Sequence, residues 1–90
     1  MDLRNQWVLI RADLERAANT LPKNASGHEA VRQYREFLDH NELELACDTL
    51  EQYARENNAG KEFWCALGDA AAKMQLIDHL ARYQEQARKS

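Results

Sequence analysis

The residues able to do chemistry are few and poorly arranged for it. His28, His40 and His79 are the three imidazoles, and Cys47 and Cys65 the two thiols. None of them falls into an HExxH, CxxC or HxxxH spacing, so no metal-ligand pattern is present. Cys47 sits at an apolar position, where cysteine acts as a small hydrophobe. Cys65 is rotated about 200° from Phe63 on a helical wheel and should be more exposed. Nothing places a base beside either thiol. Paired carboxylates such as Glu42 and Glu44 abound on solvated helices and do not signal acid–base work. A bundle this small should also leave little room for the ~300 Å³ pocket that ligands use. The expectation is a non-enzyme with no metal, no cofactor, no catalytic residue and no small-molecule substrate.

The elements that carry these residues read as helices. Trp7, Ile10, Leu14, Ala17 and Leu21 keep one face of a 3.6-residue period, predicting a helix from Asp2, its N-cap, to Leu21, stopped by Pro22. Ser26-Gly27-His28-Glu29 has capping-box spacing and opens a second helix striped by Val31, Tyr34 and Leu38, ending near Asp39-His40. Asn41, with Glu44 three residues on, caps a third helix from about Glu42 to Glu56, its apolar face Leu43, Ala46, Cys47, Leu50 and Ala54. Asn57 to Gly60 ends it. A fourth helix runs from Lys61 to Met74 along Phe63, Leu67, Ala70 and Met74, with Gly68 as an interior weakness that permits close helix packing. Leu76, Leu80, Tyr83 and Ala87 continue a helical period to near Lys89. Whether the chain breaks at Gln75-Leu76 stays open, since no Pro or Gly marks it, although Asp78 offers a cap. The predicted core holds Trp7, Ile10, Leu14, Val31, Tyr34, Leu38, Leu43, Ala46, Leu50, Phe63, Leu67 and Met74.

The 90 residues therefore form one all-α domain, spanning 1–90, a compact bundle of four to five antiparallel helices. One proline and three glycines are too few turn-formers for a β-sandwich. Uncharged apolar runs such as Trp7 to Ile10 are far too short to cross a membrane. The first residues lack the basic and apolar regions of a secretory signal. With two cysteines that make no disulfide framework, a reducing cytoplasm is expected.

The net charge of −3 disfavours nucleic acid and anionic membrane as partners. Its distribution is more informative. Between Glu36 and Glu56 lie seven acids, Glu36, Asp39, Glu42, Glu44, Asp48, Glu51 and Glu56, against the single cation Arg55. That segment is −6, and the rest of the chain +3. A helix so charged repels phosphate and is a poor reader of DNA. A charge run is most simply a solvated face. Leu45 complicates that reading: it falls about 200° from Leu43, among acids, where it is either the centre of a contact surface or buried by a further helix. The predicted partner-binding residues are Glu42, Glu44, Leu45, Asp48 and Glu51.

The run Tyr34-Arg35-Glu36-Phe37-Leu38-Asp39, the turn and helix His40-Asn41-Glu42 with Leu45-Ala46, and Phe63-Trp64 followed by Ala70-Ala71, Met74 and Leu76 form a pattern. Over Tyr34 to Leu76 the chain resembles small helical bacterial immunity proteins of polymorphic and contact-dependent growth-inhibition toxin systems. The resemblance implies a cytoplasmic protein, without cofactor or catalytic residues, that binds and neutralises one cognate toxin domain, often a nuclease. Nucleases are basic because they bind polyanions, which suits an acidic face. The acidic helix with a twin-tyrosine motif of DNase-colicin immunity proteins is missing, so none of their contact residues carries over. The alternative from the residues alone is a non-enzymatic helical adaptor or regulatory interaction module.

Overall fold

The computed structural model describes residues 3–22 and 27–90. Five helices follow one another: α1 (Leu3–Asn19), α2 (Glu29–Asp39), α3 (Leu43–Asn57), α4 (Lys61–Lys73) and α5 (Ile77–Lys89). No strand occurs among the described residues. The fold is an all-α bundle, as the periodicity predicts.

Local chemistry explains each boundary, not always through the expected residue. α1 stops at Asn19, and Thr20 and Leu21 close a tighter final turn by donating their N–H groups to Ala17 and Ala18. The predicted caps at Asp2 and Ser26 lie outside the described residues. α2 starts at Glu29, so Glu29 is its first residue rather than its third. Its N-cap is His28, whose Nδ1 accepts from the Ala30 N–H at 3.1 Å. Asn41 does not cap α3: it adopts φ 57° and terminates α2 instead. The Glu42 and Asn41 N–H groups donate back to Phe37 and Leu38, a Schellman closure. Glu42 is the N-cap of α3, without a side-chain cap bond.

The same device breaks the chain at Gln75, which holds φ 60°. The N–H groups of Gln75 and Leu76 return to Ala72 and Ala71. A glutamine in this region costs about 1–2 kcal/mol, and its type gives no warning of the turn. Asp78 lies in the first turn of α5 rather than capping it, since Leu76 is the N-cap.

α4 packs between α1 and α5, α2 pairs with α3, and α3 also touches α1 and α4. The main core unites Ile10 and Leu14, Tyr34 and Leu38, Cys47 and Leu50, Phe63 and Leu67, and Tyr83. Val31 and Tyr53 form a smaller cluster beneath Leu21 and Ala30. Ten of the twelve predicted core residues are buried. Met74 is only half-buried, packed on the edge of the main core. Trp7 is 43% exposed and is not a core residue. Gln6 donates to the carbonyl of Lys73, the last residue of α4, so the start of α1 lies level with the end of its partner helix and Trp7 is left only partly covered.

Buried Ala66, Gly68, Ala70 and Ala71 let neighbouring helices approach α4 closely. Close packing does not require glycine at position 68. A Cβ there would lie 3.6 Å from Leu80 and 3.9 Å from Tyr83, ordinary contact. Gly68→Ala is therefore expected to stabilise the fold by about 1 kcal/mol, from lower unfolded-state entropy and better helix propensity. Urea denaturation checks this, and a loss of stability would show that α4 and α5 cannot give by that much.

Candidate functional site: the acidic face of α3

α3 presents its apolar stripe to the bundle and leaves an outer surface of mixed acids. Glu42, Glu44 and Asp48 are exposed there, and Leu45 is 45% exposed. Leu45 thus lies on the solvent side of the helix rather than between helices. Neither Glu42 nor Glu44 takes part in an ion pair among the described residues.

Two groups from α5 complete this surface, and both were missed in the sequence. His79 Nε2 lies 2.8 Å from Asp48 Oδ1. Arg82 grips Glu51 with two parallel bonds, Nε to Oε2 and Nη2 to Oε1, each 3.0 Å. Arg55, one turn along α3, adds bonds of 3.1 and 3.0 Å to the same Oε2. Glu51 is only 8% exposed. Burial pushes its carboxyl upward, but hydrogen bonds and charge from Arg82 and Arg55 outweigh that and hold it below the usual glutamate value. The bond to Glu51 in turn raises the Arg82 pKa. Glu51 fastens α3 to α5 and is almost wholly covered. The one available signal was the spacing of His79, Arg82 and Gln86, a polar stripe beside Tyr83 on α5.

Glu44, Asp48 and His79 also bring one ligand atom each within 4.8 Å of one another. The direct Asp48–His79 hydrogen bond accounts for most of this proximity, and Glu44 follows one helical turn before Asp48.

The thiols and phenols show no catalytic pairing. Cys47 is fully buried, and burial, reinforced by Asp48, Glu44 and Glu51, pushes its thiol up to about 12. It is held as the un-ionised thiol, which is a poor nucleophile. Cys65 is exposed, as its wheel position predicts. Tyr34 and Tyr83 bury hydroxyls that find no partner among the described residues; burial pushes Tyr34 up to about 12 and Tyr83 upward as well.

The surface has more room than expected. Open grooves of about 470, 430 and 390 Å³ lie beside Gly60, Trp7 and Pro22 respectively. None contains a thiol or a histidine, and none combines an acid with a base. Comparison with protein-family models, curated proteins and solved structures returns no match.

Proposed function

We propose that this chain is a stoichiometric protein inhibitor of the immunity type, which holds a basic toxin domain on the outer face of α3. The observation that carries this reading is Leu45, half-exposed among Glu42, Glu44 and Asp48, with neither glutamate in an ion pair among the described residues. An apolar centre with a rim of one charge sign is the composition of a protein contact surface. Glu51, tied by two arginines, supports the surface from within and makes no contact of its own.

The mechanism is occlusion or capture without chemistry. The acids speed encounter with a basic partner, and desolvated contacts around Leu45 slow its release. The resemblance over Tyr34 to Leu76 names the partner class: a toxin domain, often a nuclease.

Growth rescue tests this. The product of the gene adjacent to this one is induced in a heterologous bacterium, alone and together with either the natural chain or the triple variant Glu42→Gln, Glu44→Gln, Asp48→Asn; an adjacent product that does not arrest growth on its own would count against the inhibitor reading. The natural chain should restore growth and the folded triple variant should not. Equal rescue by both would place the contact surface elsewhere, and rescue by neither would remove the inhibitor reading.

A further inference from the structure

We propose that Glu44, Asp48 and His79 form a binding site for a divalent transition-metal ion, zinc by its donor set, that bridges α3 and α5. Each of the three brings one ligand atom to within 4.8 Å of the other two. Glu44 and Asp48 stand one helical turn apart on α3, and the imidazole arrives from α5, 31 positions beyond Asp48. That separation hides the site from sequence spacing, which predicts no metal.

The donors identify the ion. One imidazole nitrogen and two carboxylate oxygens are ligands that zinc accepts, with water in the remaining position. The nitrogen selects against magnesium and calcium, which take oxygen shells. Two carboxylates beside a neutral imidazole carry two negative charges, which one divalent ion cancels. Among the described residues no Lys or Arg pairs with either carboxylate, and Asp48 pairs with His79 alone. The Asp48–His79 hydrogen bond joins two of the donors but does not employ Glu44.

The imidazole is the fixed member. Its side chain is 15% exposed and stands edge-on to the Tyr83 ring, 6.1 Å between centroids. Three residues further along both helices, the Glu51–Arg82 clamp holds α5 against α3. Tetrahedral zinc with bonds of about 2.0–2.1 Å sets its ligand atoms about 3.3 Å apart. His79 Nε2 and Asp48 Oδ1, 2.8 Å apart, must part slightly to admit the ion. That adjustment falls to the carboxylates, because Glu44 and Asp48 are both exposed and can turn. Metal binding here needs no protein partner, so it stands or falls apart from the inhibitor reading.

The test is calorimetric titration of Zn²⁺ into the whole, untagged chain carrying Cys65→Ser, which removes the exposed thiol. One zinc per chain is expected. In that background His79→Gln and Glu44→Gln should each weaken binding at least about tenfold, and His40→Gln should leave it unchanged. Glu44 makes no ion pair among the described residues, so its variant guards against a folding artefact. In ¹⁵N spectra of the histidine rings, zinc should move His79 and leave His28 and His40 in place, and millimolar Mg²⁺ should not displace it. No binding, or unchanged affinity in either His79→Gln or Glu44→Gln, would overturn the site. Shifts at His28 or His40 in place of His79, or displacement by Mg²⁺, would show an adventitious ion only and overturn it equally.

Discussion

Tyr83→Ala is expected to cost about 3–5 kcal/mol, a large share of the roughly 5–13 kcal/mol that a chain of this length holds. Tyr83 is the one fully buried residue of α5. Its ring lies 5.9 Å from that of Trp64 and 6.1 Å from that of His79, with the Arg82 guanidinium 6.0 Å away. Removing it takes away the main apolar anchor of the last helix. Tyr83→Phe should act in the opposite direction. The phenol oxygen is buried with no partner among the described residues, so its loss should stabilise the fold by about 1 kcal/mol. Thermal and urea unfolding of both variants check the pair of effects. A destabilised Tyr83→Phe would mean that the hydroxyl has a partner.

Glu51→Ala is expected to cost about 2–3 kcal/mol. Breaking a buried ion pair typically costs more, but Arg82 and Arg55 are 40% and 45% exposed, and water receives them when the carboxylate is gone. The pH dependence follows from the depressed Glu51 pKa. Its stabilising contribution is complete above the ordinary glutamate value of 4.5 and fades as pH falls through the lower value of the folded state. The natural chain should therefore lose stability on acidification below about pH 4.5 more steeply than Glu51→Gln, measured by thermal unfolding between pH 6 and pH 3. Parallel curves would show that the Arg82 clamp contributes nothing.

The clamp also marks how far the sequence could be read. Helical stripes set by local periodicity were legible, and ten expected core residues are buried. So was Leu45 on the polar side, because its wheel position depends only on α3. Glu51 was not legible as a structural residue: its i+4 partner Arg55 is local, but Arg82 lies 31 positions away and arrives only when α5 packs. His79 reaches Asp48 across the same separation. The break at Gln75 left no signal because glutamine is not selected for the left-handed region; the turn is held by backbone bonds to α4. Trp7 keeps the period of α1 but outruns the helix that would cover it.

Docking of a basic partner on the outer face of α3 should show itself in association kinetics. The toxin domain identified by growth rescue is mixed in stopped flow with the natural chain, with the triple variant at Glu42, Glu44 and Asp48, and with a control that loses the same charge away from α3, at the exposed Glu15, Glu29 and Glu62. Exposed charges are largely screened beyond about 10 Å in 0.1 M salt. The natural chain and the control should associate fast at low salt and slow steeply as salt is added, whereas the triple variant should start at least about tenfold slower and respond weakly. Equal rates and equal salt slopes for the triple variant and the control would contradict it.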